Sequence, residues 1–483
     1  MPRELITIQI GQCGLQLGTR FWDLALKEHA TYSKKPIYDD SLSSFFRNVD
    51  TREGKTRWLP VGNGREKIRT LKARSILVDM EEGVINKVLA GPLGELFSEH
   101  QLIKDVSGSG NNWAHGHCVY GKQYSKDILE AVRREAETCD SLQSFFLIHS
   151  LGGGTGSGLG TYILGQLADE YPDVYRFTTA VFPSEDDDVI TSPYNSVLSL
   201  DQLIQHSDCV LPIENQALMD ICSRIDSKRA CRTDTRSSVN ESKYDSTLLN
   251  KSAKRGSTPE RYRAFDDMNT IGAHLLCNLT CSMRFEGHLN VDLNEITMNL
   301  VPFPRLHLLL SSVAPLATLA NKKLVYGSRG LDQMFTAAFS RECQLTTIQP
   351  RSGTYFACGL IVRGKGVEVS DINRNIDRLK PKLKMAPWNT DGFKIGLCSA
   401  PPAHQPYSTL CLANNSAIRG VLDGLAGRFH KLFRVRAHVH HYTEYTELSH
   451  MKKAYQRVKE LSKDYEILEK AVPRSRKRIL PAI

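Results

Sequence analysis

The run Ser150-Leu-Gly-Gly-Gly-Thr-Gly-Ser-Gly-Leu-Gly160 follows the apolar stretch Phe145 to His149 and leads into Thr161 to Asp169. From Gly152 to Gly158 it holds five glycines and two small hydroxyl residues in seven positions. A short strand, a run of bare backbone and then a helical pattern presents N–H groups at a helix N-terminus, where a phosphate chain would sit. No Gly-Lys-Ser/Thr follows, so no lysine reaches a phosphate from this loop, and no register of the glycines fits G-x-G-x-x-G. A flexible linker fits the flanks poorly, because linkers are rarely bounded by an apolar strand and a helix.

The chain has 483 residues, 41% hydrophobic and 24% charged, which is ordinary globular material for two or three domains. Its net charge is +9, but the charge is local. From Arg224 to Ala264 there are 11 Lys/Arg against 5 Asp/Glu, and from Lys470 to the end 5 against none. These segments carry +6 and +5, so the rest of the chain stands at 9 − 11 = −2. A near-neutral body without a basic stripe argues against nucleic-acid binding. Twelve cysteines without a C-x-x-C pair read as reduced thiols of an intracellular protein. Neither His438-Val-His-His441 nor His115-Gly-His117 has a cysteine or carboxylate partner at ligand spacing, so no metal is expected there. The opening is an apolar strand rather than a signal peptide, and no run of about 18 apolar residues occurs, so no membrane is expected.

In chain order, the opening strand, Met1 to Ile10, ends at Gly11-Gln-Cys-Gly14, and Phe21, Trp22, Leu24, Ala25 and Leu26 suggest a helix face. Gly11 lets a ligand approach the backbone, while Gln12 and Gln16 offer amides to it. Residues 31 to 70 read as a polar loop with short elements. Asp79 and Glu81 end the next strand, where open α/β sheets bind ligands, and hard carboxylates there suit Mg²⁺ through water. A second small-residue loop, Val106 to His117 with Gly110 and Asn111, is placed to close over a phosphate. A helix is expected over Ser125 to Cys139. The strands Phe177 to Phe182 and Cys209 to Ile213 then bring the acidic loop Pro183 to Asp188, and Asn215, to the same rim.

From residue 223 the composition turns to Ser, Thr, Lys and Arg, and reads as a mobile insert through 264. Phe265 to Leu279 has helical spacing, with Asn269 on its first turns. Asp292 and Glu295 share a face near a helix start, where acids ordinarily serve the helix dipole. Leu306 to Val313, Thr354 to Arg363 and Gly396 to Ser399 read as strands of a second sheet. Helices follow over Ala417 to Val435 and Met451 to Ala471, and the basic end looks disordered. The expected units are therefore 1–222, a nucleotide-binding α/β domain on a parallel sheet; 223–264, the insert; 265–416, a central helix with a second α/β domain; 417–472, a helical hairpin; and 473–483, a tail.

Taken together, Gly11-Gln-Cys-Gly14, Gly110-Asn-Asn-Trp-Ala-His-Gly-His117, Gly152-Gly-Gly-Thr-Gly-Ser-Gly158, Pro193-Tyr-Asn195, Asn290-Val-Asp-Leu-Asn-Glu295 and Asn299 to His307 resemble the tubulin family. The resemblance runs from residue 1 to about 470. Within the family, Phe45 to Arg52, Asp187 to Asn195 and the insert ahead of Phe265 are most similar to the epsilon branch. It implies GTP and Mg²⁺. By motif, Gln12, Cys13, Ser150, Gly154 and Thr155, in a rim completed by Gly11, Gln16, Gly110, Asn111, Gly153 and Gly156, would meet phosphates. Asp79 and Glu81 would meet the magnesium shell, Asp188 the ribose, and Asn215, Phe265 and Asn269 the guanine. Glu295 would act on the nucleotide of the next subunit along a filament, as a catalytic acid supplied across an interface.

Three positions depart from the family pattern. Ser192 replaces a glutamate, which removes a ribose hydrogen bond; Phe265 replaces a stacking tyrosine; and the tail is basic rather than glutamate-rich. The resemblance implies a cytoplasmic, cytoskeletal subunit at the centrosome, centrioles and basal bodies. Its partners would be delta-, alpha- or beta-type tubulins, head to tail or lateral, together with centriolar proteins. The alternative is a non-polymerising adaptor that keeps GTP bound and recruits partners through its basic insert.

Overall fold

In the first strand, β1 (Glu4–Ile10), every residue is buried, yet the alternation of a strand still sorts its side chains. Leu5 joins one apolar cluster, while Ile6, Ile8 and Ile10 join another on the opposite face. Burial on both faces is the mark of a parallel sheet covered on each side. The computed structural model describes residues 3–32, 40–50, 57–59, 61, 68–184, 187–225, 260–285, 287, 289–316, 330–403 and 405–471, with side chains from 265 onward in the segment that begins at 260.

The other strands of this sheet are β2 (Ser75–Asp79), β3 (Leu102–Lys104), β4 (Leu142–Ser150), β5 (Tyr175–Phe182) and β6 (Cys209–Glu214). They lie in the order β3-β2-β1-β4-β5-β6, all parallel. Strand order reverses between β1 and β4, which opens a crevice beyond their carboxyl ends. Both glycine turns, the one after Ile10 and the one after Ser150, fall at that switch point.

A second sheet holds β7 (Leu310–Ala314), β8 (Tyr355–Gly364), β9 (Phe393–Cys398) and β10 (Tyr407–Asn415), in the order β7-β10-β8-β9. Its β8 and β9 are parallel and its other pairs antiparallel. The linking helix Glu260–Leu279 brings Ile271, Leu275, Leu276 and Leu279 into the cluster that the two sheets share. On the opposite face of the first sheet, helices Arg419–Arg434 and Leu448–Glu469 bury Leu422, Phe429, Met451 and Tyr465.

The α/β class and the two-sheet organisation follow the sequence reading, with several corrections, among them the edge strand Leu102–Lys104, which was not expected. The strand Tyr407–Asn415, central to the second sheet, was not anticipated: Leu410 and Leu412 face one cluster and Cys411 and Ala413 another, so it lacks a polar face and its alternation is invisible. Residues expected to open β7 instead pair with the first sheet, where the Val210 amide donates to the His307 carbonyl (2.9 Å) and the Leu309 amide to the Val210 carbonyl (2.9 Å). The helix expected from Ser125 begins at Gly121. The linking helix begins at Glu260, inside the range assigned to the insert, because Arg261 and Arg263 are good helix formers whatever their charge. Within the 31–70 stretch, Phe46–Asp50 and Arg57–Leu59 form a small antiparallel sheet with Thr70–Ala73, which begins at its end. The rest of the insert, 226–259, and the tail, 473–483, lie outside the described residues.

Candidate functional site

Beyond the carboxyl ends of β1, β2, β4, β5 and β6 lies a cavity of about 1040 Å³. The turns that line it are fixed by close backbone approach. Gly11 has φ +71°, and a Cβ on it would stand 3.0 Å from the Gly156 amide nitrogen, so the two glycine turns touch. A Cβ on Gly154 would lie 2.5 Å from Ser109 Oγ and 2.6 Å from the Asn112 nitrogen. After Gly154 the chain coils through Thr155–Leu159 into helix Gly160–Glu170, leaving first-turn amides without intrahelical partners at the cavity wall.

The second loop closes against the first. Gly108, Gly110 and Asn111 all have positive φ, and Ser109 Oγ lies 2.8 Å from Thr155 Oγ1. Asn195 ties both loops together: its Nδ2 donates to the carbonyls of Asn111 and Gly152 (each 2.8 Å), and its Oδ1 accepts from the Trp113 amide (2.9 Å) and the Tyr442 hydroxyl (2.6 Å). The sequence reading used Pro193-Tyr-Asn195 only as a motif; the signal for this positioning role was an asparagine in a helix start beside a glycine loop.

Sixteen residues assigned to the site line this one cavity: Gly11, Gln12, Cys13, Gln16, Asp79, Glu81, Gly110, Asn111, Ser150, Gly153, Gly154, Thr155, Gly156, Asn215, Phe265 and Asn269. Phe265 is 45% exposed, a ring open to a planar ligand. Burial pushes the Cys13 thiol up to about 12, so it lines the wall as an uncharged group.

Two assignments fall elsewhere. The acid on the wall of the β5 loop is Asp187, not Asp188. Ser192 Oγ donates to Asp187 Oδ2 at 2.6 Å, so the short hydroxyl at 192 holds a carboxylate where the family pattern has one of its own. Glu295 sits on helix Leu293–Leu300, whose N-cap Asp292 accepts from the Glu295 amide at 2.7 Å. Beside it, Ser144 near the start of β4 donates to Asn294 Oδ1 at 3.4 Å. Ser144 and Ser150 are six strand residues apart, roughly 20 Å, so Glu295 lies at the far end of the sheet from its own cavity.

Asp79 is only 3% exposed, and its Oδ2 has no hydrogen-bond partner. Burial raises its pKa to about 6; the Glu81 amide, 3.3 Å from Oδ1, opposes the rise, and the Glu81 charge adds to it. An orphaned carboxylate oxygen beside a second acid, at the rim of an anion-binding loop, fits a hard divalent cation that takes its remaining ligands from phosphate and water. No group of three or more His, Cys, Asp or Glu capable of holding a metal occurs among the described residues, and no helix there is long and apolar enough to cross a membrane.

Residues 4–223 match the GTPase domain of the Tubulin/FtsZ family, and residues 304–426 match the tubulin C-terminal domain. The chain is 53% identical to the tubulin epsilon chain of Mus musculus over 449 residues, covering 91% of this chain and 90% of that one. It is 52% identical to the Homo sapiens epsilon chain with the same coverage. To the tubulin beta-2 chain of Suillus bovinus it is 33% identical, over 98% of this chain and 97% of that one. A glycine-lined cavity at the switch point of a parallel sheet, two matching domains and full-length relatives agree: the chain belongs to the tubulin family, as a GTP-binding cytoskeletal subunit.

Proposed function

We propose that this chain holds GTP and Mg²⁺ in the cavity and serves as a specialised tubulin of centrioles and basal bodies, supporting the assembly or maintenance of triplet microtubules. On this reading the amides of Gly154, Thr155 and Gly156 cradle the phosphates in place of a P-loop lysine, and Asn215, Asn269 and Phe265 receive the guanine. Asp79 and Glu81 would hold the magnesium ion, which supplies neutralising charge between phosphate oxygens when bound. Glu295 then meets a nucleotide only in the cavity of a neighbour stacked head to tail.

The observation that carries the reading is this separation: a nucleotide-sized cavity at one end of the sheet and a half-exposed acid at the other. A contact of that kind does not close and so builds a filament. Similarity to epsilon chains supports the centriolar assignment, with other tubulins as neighbours. Guanine nucleotide extracted from the purified protein tests it, together with the position of a tagged chain and its nearest crosslinked partner. GDP accumulating only on assembly with other tubulins is the expected result; absence of guanine nucleotide overturns the reading.

One observation favours a second reading, an adaptor that keeps GTP unhydrolysed. Lys394 Nζ lies 2.9 Å from Glu295 Oε2, so the acid already has a counter-ion within its own chain. GTP that stays intact in every assembly would select this alternative.

A further inference from the structure

The C-terminal helical hairpin is electrically lopsided. Phe429 and His430 stack on Tyr455, which fixes the antiparallel register and sets Lys431 and Arg434 level with Lys452 and Lys453 across the pair. Between residues 428 and 456 there are six Lys/Arg and two acids, a net charge of +4. In the other half, 419–427 with 457–471, there are five of each. All five of those acids are paired: Asp423 with Lys459, Glu460 and Asp464 with Arg305, and Glu466 and Glu469 with Arg419. At the turn end Lys431, Arg434, Arg436, Lys452 and Lys453 are exposed and make no ion pair among the described residues. The nearby acids are Glu444 and Glu447, and the latter accepts from Ser449 Oγ at 2.9 Å.

This end is also rigid. The Tyr194 hydroxyl donates to the Ala437 carbonyl (2.7 Å), Asn112 Nδ2 to the His441 carbonyl (2.8 Å), and the Tyr442 hydroxyl to Asn195. Among the cations Val435 is 66% exposed. Five unpaired like charges repel one another, a cost that an opposite charge from outside relieves.

We infer that the turn end of this hairpin is a docking surface for a glutamate-rich segment of a partner protein. The exposed valine between Arg434 and Arg436 gives the patch an apolar centre with a cationic rim, which suits a polypeptide carrying acidic and aliphatic side chains better than a phosphate backbone.

The test titrates labelled oligoglutamate, with oligoglutamine as its control, against the full-length protein and two variants. One is K431Q/R434Q/K452Q/K453Q. The other has the cations of 224–264 and 470–483 neutralised instead, because those segments are basic too. Oligoglutamate should bind the parent and the second variant alike and weaken about tenfold or more on the first, with affinity falling as salt rises. Crosslinks from a photoactivatable oligoglutamate should map within 428–456. Equal binding to the first variant, equal binding of oligoglutamine, crosslinks confined to the insert or tail, or tighter capture of RNA or anionic vesicles through the same cations would each overturn the inference.

Discussion

At the scale of single residues, Asp79 is the buried carboxylate of the cavity wall whose ionisation the fold resists. A carboxyl raised from 3.8 to about 6 favours the folded state only while protonated. That contribution is present below the unfolded value and is lost as pH rises through about 6, so ionising Asp79 costs the ligand-free protein roughly 3 kcal/mol. D79N should remove this slope, and denaturation of parent and variant in chelator at pH 5 and pH 7.5 measures the difference. A cation needs the ionised form, so Mn²⁺ affinity in the presence of nucleotide should fall about tenfold per pH unit below about 6 in the parent. Asp187 makes a second prediction. Its carboxylate, held by Ser192, stands on the loop between the glycine turn after β4 and Asn215 after β6. D187A should weaken GTP binding about tenfold and dGTP binding less, read by competition with a fluorescent nucleotide. The sequence made the glycines and the cavity-facing asparagines legible because backbone exposure and strand ends have local signatures. The exchange of a glutamate for a Ser192–Asp187 pair had none, since a hydrogen bond made over five residues depends on how the turn folds.

Among the elements, the contact that locks the two sheets' layers together is a buried charge triad. Glu28, on helix Gly11–Tyr32, meets Arg284 (2.7 Å) at the foot of the linking helix and Arg363 (3.0 Å) on β8. Burial pushes the Glu28 pKa up, but Arg363 and Arg284 outweigh it and leave it at about 2. A depressed carboxyl contributes stability that is full above 4.5 and is lost as pH falls through about 2. E28Q leaves two buried guanidiniums short of a counter-charge and should cost about 3–5 kcal/mol, measured as a drop in the denaturant midpoint at neutral pH. Nothing in the sequence announced this triad, because its members are more than 250 and 330 residues apart. The strand Tyr407–Asn415 was hidden for a related reason: burial on both faces erases the alternation by which a strand is read. By contrast, five of the six strands of the first sheet were legible, since each of those apolar runs leads to a glycine, an acid or an asparagine at the rim; the edge strand Leu102–Lys104 is three residues long, too short to show a period.

For the whole molecule, the proposed function depends on what one copy cannot do alone. The strand axis separates the cavity from Glu295 by the length of β4, so on the proposed reading the acid would reach a nucleotide only when two subunits stack along that axis. Phosphoryl transfer to water responds chiefly to positioning and charge, and a carboxylate delivered by a neighbour would make turnover a consequence of assembly. Within the free chain Lys394 occupies that carboxylate, and the side chain of Glu295 remains 41% exposed, so a neighbour must compete with a surface ion pair worth no more than about 1 kcal/mol. E295A should therefore leave GTP affinity in its own cavity unchanged while lowering GTP turnover of a mixed assembly about tenfold or more. K394A should leave that turnover intact or raise it. Single-turnover hydrolysis in an assembly where only the partner carries labelled GTP reads both effects directly. Turnover that is indifferent to E295A would detach hydrolysis from this end of the molecule and leave the bound GTP with a structural role.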